Sequence, residues 1–180
     1  MAAELPVEIE GKWLIENDLW RQQRVLRVVN IFQGYLKPDS SGMARRIRYS
    51  HTAGDESMRS CQWLQTAKGE RVNGQATEVE TDITRIEFEE LWPQTEGSRV
   101  SKSRYYLDLE AAGKIRAKEV IVDIFQGDLL GLVMAEIEVA NLEDLQMLRE
   151  QPPVWCGLDV TDIKGYSNAQ LACNGLPSSA

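Results

Sequence analysis

A chain of 180 residues with 43% hydrophobic content is long enough to bury one sizeable core, and its formal charge of −8 disfavours nucleic acid or an anionic membrane as a general surface partner. No segment approaches the roughly 20 apolar residues of a membrane span, and Met1-Ala2-Ala3-Glu4-Leu5-Pro6 lacks the basic start and apolar run of a signal peptide. Cys61, Cys156 and Cys173 form no CxxC pair and His51 is the one histidine, which excludes multi-histidine zinc sites and predicts a cytoplasmic protein with reduced thiols.

Strand spacing dominates the chain. Glu8 to Leu14 alternates as a strand, and Glu16-Asn17-Asp18 opens a predicted short helix through Arg24. A Val/Ile-rich extended run from Val25 to Leu36 stops at Lys37-Pro38-Asp39, and Ala44 to Ser50 is the next strand. The polar stretch from His51 to Arg59 predicts a loop with a solvated His51. Cys61 to Lys68 alternates again, with Gln62, Leu64, Thr66 and Lys68 on one face; Gly69 and Gly74 bracket a turn before the strand Ala76 to Ile83. Thr84-Arg85-Ile86-Glu87 matches a capping box, in which threonine and glutamate satisfy each other's orphan helix-end amides, so a helix from Arg85 to Trp92 is predicted. Pro93 and Gly97 stop it.

Strands Arg99 to Leu107, Arg116 to Phe125 and Leu132 to Val139 follow, separated by Gly113 and Gly127. A second helix spans Leu142 to Arg149 after Asn141 and ends at Pro152-Pro153. Ser167 to Cys173 is the last predicted helix, closed by Asn174-Gly175, and residues 176–180 read as a frayed tail. Without a repeat, linker or low-complexity block, the pattern predicts one domain over residues 1–180 with its core in 7–173.

Like charges recur at every second position: Glu8-Ile9-Glu10-Gly11-Lys12, Arg46-Ile47-Arg48, Glu78-Val79-Glu80, Lys102-Ser103-Arg104 and Glu136-Ile137-Glu138. A strand puts alternate side chains on one face, so each motif concentrates charge. A solvated sheet face explains one such strand, but like charges side by side cost energy unless counter-charges or metal ions neutralise them. Acidic strands alternate here with basic ones, and a closed barrel with a charged lumen resolves the conflict. The predicted class is α+β and strand-dominated. Trp13 and Trp63 alternate with Lys12 and Lys68, so both are predicted to pack outside.

In order along the chain stand Glu8-x-Glu10-x-Lys12, Gln33-Gly34-Tyr35-Leu36, Arg46-x-Arg48, Thr66-x-Lys68, Glu78-x-Glu80, Phe88 to Gly97, Lys102-x-Arg104, Asp123, Glu136-x-Glu138 and a closing Val160-Thr161 with Tyr166-x-Asn168. Together they resemble the CYTH domain, or triphosphate tunnel metalloenzyme, superfamily, over Glu8 to Ala172 and most of all its short single-domain bacterial members. The resemblance implies a closed antiparallel barrel, or tunnel, of about eight strands with flanking helices. It also implies a lumen that binds a linear triphosphate; no nucleic acid or membrane partner is expected from the charge, and the sequence leaves monomer and homodimer open.

Arginine's planar fork suits phosphate oxygens and lysine adds compact charge, so Lys12, Arg46, Arg48, Lys68, Lys102 and Arg104 are the candidate substrate clamp. Glu8, Glu10, Glu136 and Glu138 are hard oxygen ligands suited to Mg²⁺ or Mn²⁺ bridging carboxylate to phosphate. Family resemblance assigns metal roles to Glu8, Glu10, Glu136 and Glu138 and phosphate roles to Arg46, Arg48, Lys68, Lys102 and Arg104, and adds Glu80 and Asp123 as second-site or water-positioning groups. Lys12, Glu80 and Asp123 are the catalytic candidates, and no dedicated general base is identified. The expected activity is metal-dependent hydrolysis of tripolyphosphate to pyrophosphate and phosphate. Hydrolysis of thiamine triphosphate or nucleoside triphosphate, adenylate cyclisation, and a non-catalytic polyphosphate-binding module are the alternatives. Gly11, Ala76 and Gly165 depart from the family pattern, each standing where many members carry a basic residue.

Overall fold

The structure, a computed structural model, describes residues 7–37, 43–55, 57, 59–69 and 72–177. The predicted stop at Pro38-Asp39 and the last three residues of the predicted tail lie outside them. Among the described residues eight strands form: β1 (Val7–Leu14), β2 (Val25–Leu36), β3 (Ala44–Thr52), β4 (Gln62–Lys68), β5 (Gln75–Asp82), β6 (Arg99–Leu107), β7 (Ala117–Phe125) and β8 (Val133–Val139). They close into an antiparallel barrel in the order β1-β5-β4-β3-β2-β6-β7-β8.

One seam of the wall is made differently. β1 pairs with β5 only from Val7↔Thr77 to Ile9↔Gln75. Beyond that point the segment 157–161 takes over: Gly157 N donates to Leu14 O at 2.9 Å, Leu14 N to Leu158 O at 2.9 Å, and Val160 N to Lys12 O at 2.8 Å. The Thr161 hydroxyl accepts from Lys12 N at 3.0 Å. The backbone groups of a buried strand are thereby satisfied without a ninth strand.

Apolar residues lie outside the barrel, under the helices. Trp13, Trp20, Val120, Ile137 and Trp155 pack with Leu145 and Leu148 of α2 (Leu142–Glu150). A second cluster puts Ile47 and Leu36 against Phe88 of α1 (Arg85–Leu91), with Trp63 at its margin. Both tryptophans, Trp13 and Trp63, therefore face outward, and truncating the fully buried Trp13 to alanine costs about 3–5 kcal/mol. Gly11 is explained by the same layer. A Cβ there would lie 2.2 Å from the Trp13 ring, so the strand interior takes a glycine to seat the indole.

The predicted capping box closes α1 at both ends of the motif: Thr84 Oγ1 accepts from Glu87 N at 3.2 Å and Glu87 Oε2 from Thr84 N at 2.7 Å. Two expectations are corrected. The helix from Glu16 to Arg24 is only a 3-10 turn over Leu19–Gln22, because Asp18 spends its carboxylate on Arg21 at 2.8 Å and supplies no cap. His51 belongs to β3 opposite Asn30 rather than to a loop, and its ring lies against Phe32 and Tyr49.

Candidate active site

Strand register decides which side chains share the lumen, because directly opposed residues point to the same face. Glu10↔Glu138 and Lys12↔Glu136 are opposed on β1 and β8, and Arg104↔Asp123 on β6 and β7. Arg46↔Thr66, Thr66↔Glu80 and Lys68↔Glu78 link β3, β4 and β5. Gln33↔Arg48 and Tyr35↔Arg46 bring β2 into the same row. Glu8 and Lys102 sit two residues from Glu10 and Arg104, so every sequence-predicted site residue reaches one channel.

Two ion networks fill that channel. In the first, Asp123 accepts a two-pronged grip from Arg104, Nε to Oδ1 at 2.8 Å and Nη2 to Oδ2 at 2.7 Å, while Lys102 Nζ lies 2.5 Å from the same carboxylate. Arg104 Nη2 also reaches Glu136 at 2.7 Å, and Glu136 meets Lys12 Nζ at 2.5 Å. Lys12 continues to Glu10 at 3.1 Å. In the second, Glu78 joins Arg46 at 2.7 Å and Lys68 at 2.7 Å, and Lys68 also contacts Glu8. Glu80 lies nearer solvent, 3.8 Å from Arg46, and Glu138 takes Lys118 at 3.3 Å. Ala76, buried directly opposite Glu8, supplies no cation at that point, and Lys68 serves Glu8 instead.

Burial alone would raise the Glu136 carboxyl, but Lys12, Arg104 and Lys102 outweigh it and hold the group well below the usual range. Asp123 follows the same pattern under Arg104 and Lys102. Lys102 goes the other way. Desolvation brings its ammonium down to about 8 even though Asp123 opposes the shift.

Arg48 stands apart. Its hydrogen-bond partner is a neutral amide, Gln33 Oε1, which accepts from Nε at 3.2 Å, and among the described residues no carboxylate lies within ion-pair range. Desolvation, then Arg46 and Arg104, bring its pKa to about 10. A desolvated guanidinium beside two others, with Glu80 acting on it only from beyond ion-pair range, is a costly arrangement that an incoming anion relieves.

The segment after β8 shapes one mouth. A cavity of about 540 Å³ opens there between Lys12, Tyr35, Arg46, Lys68 and the turn and helix of residues 164–170. Asn168, the first residue of α3 (Asn168–Asn174), accepts from Lys102 Nζ at 3.1 Å. Sequence reading gave Gln33, Tyr35, Thr66 and Asn168 places in motifs but no roles. Counting lumen parity back from Arg46 and Arg48 through their β2 partners is the signal that finds Gln33 and Tyr35.

A divalent cation fits the donor chemistry here. Glu10 and Glu138 are opposed carboxylates on neighbouring strands, and like charges so placed favour a shared cation. Among the described residues no group of three or more His, Cys, Asp or Glu side chains converges to hold a metal by itself, since Lys12, Arg104 and Lys68 engage the carboxylates. Any ion would thus need further oxygens from a ligand such as phosphate.

No family model matches the chain. It is 33% identical over 167 residues to the inorganic triphosphatase of Nitrosomonas europaea, a match spanning 92% of this chain and 96% of that protein. A crystal structure of an inorganic triphosphatase resembles it with a TM-score of 0.62 at 30% identity, covering 97% of this chain and 100% of that one. A second crystal structure of that protein, described there as hypothetical, gives a TM-score of 0.63 at 31% identity over 94% of this chain and 99% of the other. With this likeness running through the strands that carry the charged lumen, the chain belongs to the inorganic triphosphatase family.

Proposed function

We propose that this protein hydrolyses inorganic triphosphate to pyrophosphate and phosphate inside its barrel, in a reaction that depends on Mg²⁺ or Mn²⁺. The observation that carries this reading is Arg48, a desolvated guanidinium with no carboxylate within ion-pair range among the described residues, flanked by Arg46 and Arg104, whose repulsion outweighs the more distant Glu80. A linear chain of phosphates supplies the missing charge along the channel's length.

Arg46, Arg48, Lys68 and Arg104 grip phosphate oxygens, with Lys12 beside them. Glu10 and Glu138, with Glu8 and Glu136, would hold the metal, their present partners Lys12, Lys68 and Arg104 being cations that phosphate would also attract. The chemistry a bound divalent ion supplies is neutralisation of phosphate charge and acidification of the attacking water. Lys102 is the group best suited to receive the water's proton, since a pKa of about 8 leaves a useful neutral fraction near physiological pH. Asp123 holds Lys102 and Arg104 side by side, and Glu80 orders water nearer the rim. Fixed placement of these charges supplies most of the acceleration.

The ordered charged motifs and the lumen they line support membership of the CYTH, or triphosphate tunnel metalloenzyme, superfamily, with a single domain over residues 1–180. No helix among the described residues is long and apolar enough to cross a membrane. A cytoplasmic monomer or homodimer acting on a small anion is the matching cellular form. Purified protein incubated with tripolyphosphate, ATP or thiamine triphosphate, each with Mg²⁺, Mn²⁺ or chelator, tests the reading by product analysis. Equal amounts of phosphate and pyrophosphate from tripolyphosphate are expected, and none in chelator. Equal turnover in chelator removes the metal, and faster turnover of ATP removes the assigned substrate.

A further inference from the structure

Gln33 is completely buried, yet it carries a primary amide, and burying an amide without partners is costly. Its carbonyl Oε1 accepts from Arg48 Nε at 3.2 Å and its Nε2 donates to the Tyr35 hydroxyl at 2.6 Å. The direction of both bonds is fixed by chemistry. A guanidinium has no acceptor, so the carbonyl end of Gln33 must face Arg48 and the NH₂ end must face Tyr35. Tyr35 Oη is therefore an acceptor toward Gln33, and its own proton must go elsewhere. Among the described residues no acceptor takes it. Tyr35 lines the cavity at the mouth and is opposed to Arg46 across β2 and β3, so the space available to that proton is the lumen.

We propose that Gln33 is a positioning residue that sets hydrogen-bond direction across the clamp: by binding Arg48 through its carbonyl and Tyr35 through its amide, it commits the Tyr35 hydroxyl to donating into the lumen, onto a phosphate oxygen of the substrate. This inference rests on the triphosphate reading above. It also accounts for a glutamine at a position where most lumen-facing groups of the clamp are charged: a glutamate of the same shape would accept from both neighbours, neutralising Arg48 and drawing the Tyr35 proton away from the ligand.

A double-mutant cycle of Gln33→Glu and Tyr35→Phe tests the relay through kcat/KM for tripolyphosphate. In the wild-type background Tyr35→Phe is expected to lower kcat/KM about tenfold or more, the loss of one hydrogen bond to a charged group. In the Gln33→Glu background the same change is expected to cost less than about twofold, because the hydroxyl proton is already directed at the carboxylate. Equal costs in both backgrounds overturn the relay. If Gln33→Glu fails to fold by circular dichroism, Gln33→Met replaces it: the Tyr35→Phe cost must fall at least about threefold there, and an unchanged cost again overturns the proposal.

A ligand-free readout separates this inference from the function it rests on. In proton NMR a downfield hydroxyl resonance, absent from wild type and lost in the double variant, is expected for Tyr35 in Gln33→Glu. Its absence in a folded variant contradicts the relay even if triphosphate is turned over. Its presence with no wild-type turnover sustains the hydrogen-bond direction and rejects the substrate.

Discussion

Lys12 and Glu136 face each other across β1 and β8 with Nζ and Oε1 2.5 Å apart, and the same ammonium lies 3.1 Å from Glu10. One cation thus holds two carboxylates that the proposed reaction needs for metal. Replacing Lys12 by methionine removes the shared partner from nearly dry surroundings, at a cost of about 3–5 kcal/mol in the ligand-free protein. Mg²⁺ or Mn²⁺ should then raise the melting temperature of Lys12→Met by more than it raises that of wild type. Thermal melts with and without ion measure both, and an equal ion effect in the two proteins would place the metal elsewhere.

Arg48 should behave differently. Its side chain has no carboxylate within ion-pair range to lose among the described residues, and Arg48→Ala relieves repulsion from Arg46 and Arg104 while taking one hydrogen bond from the buried Gln33, so ligand-free stability falls by less than in Arg104→Ala. Substrate affinity falls, with KM rising about 10- to 100-fold for one charge-assisted hydrogen bond of about 1.5–3 kcal/mol. Arg104→Ala, which strips Asp123 and Glu136 together, should lose both stability and activity. Melts and steady-state kinetics on the two variants separate an anion-binding arginine from a structural one.

The ammonium of Lys102 titrates near 8 inside the barrel, below its ordinary 10.5, because desolvation outweighs Asp123. A proton acceptor with that value is neutral above about pH 8, so kcat should climb through that region and level off. Lys102→Arg keeps the charge but stays protonated throughout, and should lose kcat by at least about 100-fold, within the range of general-base effects. A pH profile of kcat that is flat from 6 to 9 in wild type, with metal saturating, would assign the proton to another group.

Asp123 gives the acid side of stability. Burial pushes its carboxyl upward, but Arg104 and Lys102 prevail and set it below the ordinary value of 3.8. A carboxyl depressed in the folded state stabilises fully above its unfolded pKa, and that contribution is lost as pH falls toward and through the folded one. Wild type should therefore lose melting temperature steeply below about pH 4. Asp123→Asn should begin less stable at neutral pH and show a shallower acid limb. Melting curves from pH 3 to 7 check both features.

Much of this arrangement is legible in the chain because strand parity is a local property. Alternation alone puts Glu8, Glu10 and Lys12 on one face and Trp13 on the other, and the capping residues Thr84 and Glu87 announce α1. Which charges meet is not local. That Lys12 lands on Glu136, and Lys68 on both Glu8 and Glu78, follows from the stagger of a closed barrel, which no single strand encodes. The wall segment 157–161 was hidden for the same reason, since its hydrogen bonds to β1 join residues far apart in sequence. Gln33 and Tyr35 stand in a motif but gain no role from the sequence, because β2 is a mainly apolar run and only their pairing with Arg48 and Arg46 reveals their side. The short turn at Leu19–Gln22 has the composition of a helix start, with Asn17 and Asp18 as apparent caps, but Asn17 Oδ1 takes Leu19 N at 2.9 Å in a local turn.

The central claim is that opposed acidic and basic strands form one channel for a condensed phosphate and its metal, and a crystal structure with tripolyphosphate and Mn²⁺ tests it most directly. The account predicts phosphate oxygens on Arg46, Arg48 and Arg104 inside the barrel, Tyr35 donating to one of them, and the ion between the phosphates and Glu10 with Glu138. Triphosphate bound on the outer surface, with Lys12 still on Glu136 and Arg48 still without an anion, would contradict it.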